Sequence, residues 1–127
     1  MTVGGLTLDA GALIAVERRD ERVTALLRKA VENGFQLAVP AGVVAQVWRD
    51  GRRQARVANL LSVAEITVVD LDEGAARLCG VLLGRAGSSD VVAASVVLCA
   101  RERRHTVVTS DAEDLRRIDP HLPIVAI

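Results

Sequence analysis

Tyrosine is absent from this 127-residue chain, and Phe35 and Trp48 are its only aromatic residues. The core must therefore be assembled from Val, Leu, Ile and Ala, and the rows of aromatic rings on which single-stranded nucleic-acid binders stack successive bases are missing. Cysteine is almost as scarce. Cys79 and Cys99 each sit among small apolar residues, without the CxxC or Cys/His spacing that zinc requires, and read as small buried hydrophobes. Net charge is zero, which argues neither for nor against a polyanionic partner. There is no basic start followed by a cleavage-like site, and the first apolar stretch is interrupted at Asp9, so neither a signal peptide nor a membrane span is expected. A cytoplasmic setting is the default. Low-complexity linkers and internal repeats are also lacking, and the length accommodates one domain, residues 1–127.

The charge that is present is unevenly distributed. Every basic residue except Lys29 is arginine, with clusters in "RDGRRQAR" (49–56), in "RERR" (101–104) and at Arg116 and Arg117. Arginine pairs bidentately with phosphate, so these clusters suit nucleic acid, although solvated helix faces produce the same pattern.

Short β-branched runs alternate with longer helical patterns. "LTLD" (6–9), "FQLAV" (35–39), "EITVVD" (65–70), "HTVVTS" (105–110) and "PIVAI" (123–127) read as strands. Helices are expected over "AGALIAVER", over 20–34, from 41 to 49 with a continuation toward Leu61, over 73–87 behind an Asp72 cap, and over "DAEDLRRI". "SSDVVAASVVLCARERR" reads as a further helix capped by Ser88 or Ser89, and is apolar on nearly every side, as a central helix is. The alternation predicts an α/β fold: a mainly parallel central sheet flanked by helices on both faces, with ligands beyond the carboxyl ends of the strands.

Acids fall at that edge. Asp9 ends the first strand, Asp111 ends the fourth, and Asp90 occupies the first turn of the apolar helix. Each has an ordinary explanation as a helix cap, favoured by about 0.3–1 kcal/mol through the helix dipole. Gathered together they would repel, by about 1 kcal/mol per pair at 4 Å in water and about 4 kcal/mol at the effective permittivity of a protein site. A hard oxygen-ligated cation, Mg²⁺ or Mn²⁺, would relieve that cost, and such ions act on phosphates.

"LTLDAGALIA", "SSDVVAAS" and "VVTSDAEDL", in that order and spacing, resemble the PIN-domain nucleases, specifically the VapC-type toxins of bacterial toxin–antitoxin pairs. The resemblance spans essentially the whole chain. It implies a single PIN-like domain, an Mg²⁺-dependent (or Mn²⁺-dependent) endoribonuclease, a homodimer, and a cognate VapB-type antitoxin that blocks the acidic cleft. Asp9, Asp90 and Asp111 stand at the family's catalytic and metal-binding positions, with Asp114 as an auxiliary acid.

The sequence departs from that pattern at Gln46, where the family commonly has Glu. An amide oxygen still accepts a hydrogen bond but brings no charge. On a helix of about 100° per residue, Val43, Val44, Val47 and Trp48 form an apolar stripe, and Gln46, Arg49, Asp50 and Arg53 share the other face. Arg49, Arg53 and Arg116 are the candidates for RNA or antitoxin contact, Asp50 a partial substitute for the missing acid, and Ser110 and Thr109 candidates to orient water. Glu17 is a candidate for the cleft mouth or a solvent pair. His105 and His121 are not expected to act as general bases. Gly80 and Gly84 would permit either a dimer contact or inward packing of their helix. A weakly active module that mainly binds RNA or antitoxin is the alternative reading. A receiver-type phosphoacceptor also gathers acids around Mg²⁺, but the paired acids near the first strand and the downstream lysine that it needs are lacking.

Overall fold

The computed structural model of the chain describes residues 4–127. Five strands form one sheet, β1 (Gly5–Leu8), β2 (Gln36–Pro40), β3 (Ile66–Val69), β4 (Thr106–Thr109) and β5 (Ile124–Ala126), in the order β3-β2-β1-β4-β5, with every pairing parallel. Seven helices connect them: α1 (Ala10–Glu17), α2 (Glu21–Glu32), α3 (Ala41–Val47), α4 (Ala55–Leu61), α5 (Glu73–Ala86), α6 (Val91–Arg103) and α7 (Ala112–Ile118). Parallel neighbours require crossovers. The right-handed rule sends the links from β1 to β2 and β3 over one face, and those from β3 to β4 and β5 over the other. The expected helix–sheet–helix sandwich is thus the observed one.

Apolar content explains the layering. All four residues of β1 are buried, as are Val107, Val108 and Thr109 of β4, because both faces of the central strands are covered. Seven residues of α6, including Ala94, Val96 and Val97, are buried, and this helix packs on β1 and β2 with α5 and α7 against it. Both cysteines are buried, as their surroundings predicted. By contrast α5 buries Cys79 alone. Leu78 and Val81 stay about half exposed, and a Cβ on Gly80 or Gly84 would touch nothing within 4 Å, so this helix turns those glycines to the surface rather than inward. No helix among the described residues is by itself long and apolar enough to cross a membrane.

Two local expectations fail. The helical pattern of 41–61 is broken: α3 ends at Val47, Trp48 turns extended at ψ 126°, and α4 starts only at Ala55. The side chain of Gln54 explains why. Its Oε1 accepts from the Arg49 and Asp50 amides at 2.7 and 3.0 Å, and its Nε2 donates to the Val47 carbonyl at 2.7 Å. Arg49 Nη1 also donates to the Ala45 and Trp48 carbonyls at 3.0 and 2.7 Å, satisfying helix-end acceptors that continuation would otherwise have used. Periodicity is blind to such side-chain caps. Trp48 therefore leaves the apolar stripe, and Gln46, Arg49, Asp50 and Arg53 share no helical face. The second failure is smaller. Asp90, not Ser88 or Ser89, caps α6, accepting from the Ala93 amide at 3.0 Å, and the Ser88 hydroxyl accepts instead from the Asp90 amide.

His105 sits at the amino end of β4, the sheet edge opposite the acids. Its Nδ1 lies 3.1 Å from Thr7 Oγ1, and its ring fills the space where Gly5 has no side chain. A Cβ there would also press the Gln36 carbonyl oxygen at 2.8 Å. Burial, then the nearby Arg103 charge, holds the imidazole pKa below its ordinary 6.5, against an opposing hydrogen bond with the Leu6 main chain. A base whose pKa is depressed by folding favours the folded state above its unfolded pKa and loses that contribution as pH falls through the depressed value. Thermal stability should accordingly decline as pH drops below about 6.5, the free-histidine value. Melting temperatures from pH 8 to 5 should show that decline flattened in His105→Gln.

Candidate functional site

The sheet order reverses between β1 and β4. One neighbour carries the chain toward β2 and the other toward β5, and the carboxyl ends of such a strand pair flank a crevice. Leu8 pairs with Val108, so the residues that leave the two strands emerge side by side. The cleft there has a volume of about 270 Å³, and its lining includes Asp9, Gln46, Asp90, Ser110, Asp111 and Asp114. All three expected acids, the expected auxiliary acid, the amide and Ser110 thus share one cavity. A groove of about 300 Å³ between α5, α6 and the β3 edge mixes Asp70, Asp72, Glu102 and Arg103 with apolar residues and gathers none of them.

Local structure accounts for two of the acids. Asp9 is the N-cap of α1, its Oδ1 accepting from the Ala10 amide at 2.7 Å, and Asp90 caps α6. A cap bond and a helix dipole stabilise each as a carboxylate. Asp111 differs. It occupies the N-cap position of α7 but its side chain makes no cap bond. Slight burial, then a side-chain hydrogen bond and repulsion from Asp114, raise its carboxyl pKa above the ordinary value, with a further push from Asp9 and against an opposing contact with the Asp114 main chain. Asp114 leans toward Arg117 at 3.3 Å, whereas Asp9, Asp90 and Asp111 pair with no basic side chain among the described residues.

Thr109 holds this edge together. Fully buried, it donates from Oγ1 to Asp9 Oδ2 at 2.9 Å and accepts from the Asp111 amide at 2.8 Å, tying the exits of β1 and β4 with one hydroxyl. Gly11 allows the close fit beside it: any Cβ would collide with Ser110 Oγ and lie 3.0 Å from the Ser110 amide. Expected to orient water, Thr109 instead lies beneath the cleft lining and holds main chain and carboxylate together, a role that a strand-end hydroxyl two residues before an acid shares with ordinary side-chain turns.

The remaining candidates disperse. Arg49 is spent capping α3, Arg53 projects from the loop beyond it, and Arg116 is exposed on α7 outside the cleft lining. Asp50 does not line the cleft and does not replace an acid there: its carboxylate accepts from the Arg52 amide and faces Arg53 at 3.9 Å. Glu17 does not line the cleft and is partly exposed in an ion pair. It accepts from the Val57 amide at 3.4 Å and meets Arg56 at 3.5 Å, tying α1 to the first turn of α4. His105 lies at the far edge of the sheet.

In donor chemistry the cleft fits a hard divalent cation, offering carboxylates, an amide oxygen and a hydroxyl. The side chains are not gathered tightly, however. Among the described residues no three His, Cys, Asp or Glu groups converge on one point as an ion would require. Asp9 engages Oδ1 in its cap and Oδ2 with Thr109, and Asp90 engages Oδ1 in its cap, so sharing an ion would fall to the remaining lone pairs of Asp9, to Asp90 Oδ2 and to Asp111.

Comparison with known proteins locates the fold. No family model matches the chain, and no curated protein does. Solved structures do. A chain of VapBC2 from Rickettsia felis, bound to a DNA fragment from the promoter, superposes with a TM-score of 0.71 at 17% identity, over 96% of this chain and 98% of that one. A chain of FitAB bound to the IR36 DNA fragment gives 0.67 at 16% identity, over 95% and 94%. A chain of FitAcB from Neisseria gonorrhoeae gives 0.64 at 18% identity, over 94% and 95%. The PIN-like α/β/α fold expected from the motifs is therefore the fold of this chain.

The role of Thr109 is testable by separating its hydroxyl from its volume. Thr109→Val keeps the size but strands the Asp111 amide and should cost about 1–3 kcal/mol, the penalty of an unsatisfied buried polar group. Thr109→Ser loses only a methyl and should cost about 1 kcal/mol. Urea unfolding that ranked Ser as the more damaging change would remove the bridge from the account.

Proposed function

We propose that this chain is a divalent-metal-dependent endoribonuclease of the VapC type, the toxin of a toxin–antitoxin pair. One observation carries the reading: Asp111 has no side-chain cap bond in a cleft beside other acids, its carboxyl pushed up by desolvation and then by its contacts with Asp114 and Asp9, with no basic partner among the described residues. A purely structural N-cap has no reason to tolerate that. Asp9, Asp90 and Asp111 would hold Mg²⁺ or Mn²⁺, with Asp114 and Gln46 at the margin. When bound, such an ion neutralises the carboxylates, acidifies water and offsets charge on a phosphodiester in flight. The chain's own part is positional. Thr109 fixes Asp9 against Asp111, Ser110 and the Gln46 amide can orient water or a phosphate oxygen, and the apolar wall of Ile14 and Leu115 limits solvent.

Partners follow from the same reading. The similar structures are VapBC2, FitAB and FitAcB assemblies, two of them on DNA. A VapB-type antitoxin is accordingly the partner proposed here, with RNA as substrate and the cytoplasm as the place of action. The open apolar face of α5, with Leu78 and Val81, is the proposed contact of a homodimer.

Gln46 supports a second reading. It lines the cleft where a further carboxylate would strengthen metal binding, so the chain would bind RNA or antitoxin while cutting weakly.

Metal titration, thermal unfolding and RNA cleavage test these readings. In calorimetric titration with Mg²⁺ and Mn²⁺, Asp9→Asn and Asp90→Asn should abolish the binding seen with the parent chain; parent chain that takes up neither ion at millimolar concentration would defeat the metal-dependent reading. Asp111→Asn should also remove the thermal stabilisation by either ion, yet melt no lower than the parent in EDTA, because it removes a repulsion and no cap bond. Gln46→Glu should tighten Mg²⁺ binding by about tenfold or more, the order expected of one added carboxylate contact worth about 1.4 kcal/mol or more. If cleavage of a model RNA then rises from undetectable to robust, the natural chain is the binding module. Cleavage already present in the parent sustains the nuclease.

A further inference from the structure

The break between α3 and α4 leaves a surface that the helical pattern would have hidden. Trp48, the only tryptophan, is 38% exposed, and the edge of its ring lies on the main chain of Gly51, where a Cβ would come within 2.8 Å of Cζ2. The tryptophan is thus braced on one side and open on another. Around it the loop displays Arg52, with no acidic partner among the described residues, and Arg53, whose side chain is 89% exposed and only 3.9 Å from Asp50 at its nearest approach. Arg49 and Gln54 fix the loop's shape through their main-chain bonds, so the ring and the guanidinium groups are presented by a built turn. Trp48 lies two positions beyond Gln46 in the cleft wall, a main-chain reach of at most about 7 Å.

We infer that this loop is a single-stranded RNA subsite at the lip of the cleft, with one base stacked on Trp48 and flanking phosphates paired with Arg52 and Arg53. The inference rests on the nuclease reading and supplies the path of the strand leaving its cleft. One ring is no platform for successive bases, and a single base is all it is asked to hold. An aromatic ring beside exposed arginines matches nucleic acid in both respects, since stacking tolerates any base and guanidinium forks fit phosphate. A duplex would keep its bases paired and unavailable to the ring.

A sole tryptophan makes the test direct. In EDTA, a fluorescein-labelled single-stranded RNA 12-mer of mixed sequence is titrated with the full chain, following fluorescein anisotropy; in parallel, unlabelled RNA is added to the chain, following tryptophan emission. Emission should be quenched with the affinity that anisotropy reports. Trp48→Ala should weaken binding by about tenfold, the scale of one lost stack. Trp48→Phe, which keeps a ring on Gly51, should restore most of the affinity and shows that a loss in the alanine variant is not misfolding. Arg52→Gln with Arg53→Gln should lower the slope of log affinity against log salt by about 1.4, or 0.7 for each phosphate contact removed. RNA that binds with emission unchanged, and equally well to Trp48→Ala, would overturn the subsite while leaving the nuclease standing. No RNA binding by any variant would overturn both. Emission that shifts with protein concentration alone and ignores RNA would reassign the ring to a contact between copies of the chain.

Discussion

The parallel pairing of β1 with β4 is the constraint on which the rest depends. It brings together segments about a hundred residues apart, so that Asp9 and Asp111 leave the sheet at adjacent points, and the buried hydroxyl of Thr109 then joins their exits. Those contacts are long-range and hold only if both strands are buried on both faces. The complete burial of β1 and the largely apolar character of α6 above it are therefore conditions for the cleft as well as for the core. Gly5 and Gly11 serve the same end. One lets β1 pass the His105 ring, and the other lets α1 begin against Ser110.

How much of this was legible in the sequence follows from the range of each interaction. Strand and helix alternation is written in periodicity, and the parallel sheet and its order of layers were readable from it. The placement of Asp9 and Asp111 on one cleft was readable as well, because strand ends in such sheets share one edge, and the start of α6 brings Asp90 to the same cleft. The break after Val47 was not. It rests on Gln54 reaching back to three main-chain groups and on Arg49 reaching back to two, and neither residue type marks a helix end by itself. The same blindness hid the exposure of Trp48, which a helical projection places on the buried stripe. Asp90 displaced two serines as the cap of α6 for a related reason: all three side chains can cap, and only the path of the chain decides which one does.

Caps and catalytic acids are hard to tell apart because the same physics favours both. A helix amino terminus stabilises a carboxylate whether or not an ion is nearby, so Asp9 and Asp90 fit their positions as caps and as ligands alike. Their presence in the cleft is consistent with a site without requiring one. Asp111 is not excused in this way. It accepts no cap bond, faces Asp114 and Asp9, and has its pKa raised, so its folded environment opposes the charge it would carry at neutral pH.

That opposition has a definite sign in the energetics. A carboxyl whose pKa rises on folding binds protons more readily in the folded state, so its contribution to stability is largest in acid and is lost as pH climbs through the raised value. At neutral pH the cation-free chain retains Asp111 at a cost that Asn would not incur. A bound divalent cation would reverse the balance, because the charge that repels Asp114 and Asp9 then attracts the ion. Gln46 enters the same balance from the other side. A further carboxylate there would add to the repulsion as well as to metal affinity, and an amide holds the repulsion down at the expense of affinity. The cleft is thus set nearer to stability without metal than one with a further acid would be, and under the proposed nuclease reading Trp48, Arg52 and Arg53 outside it would be the places where substrate affinity is recovered without adding negative charge.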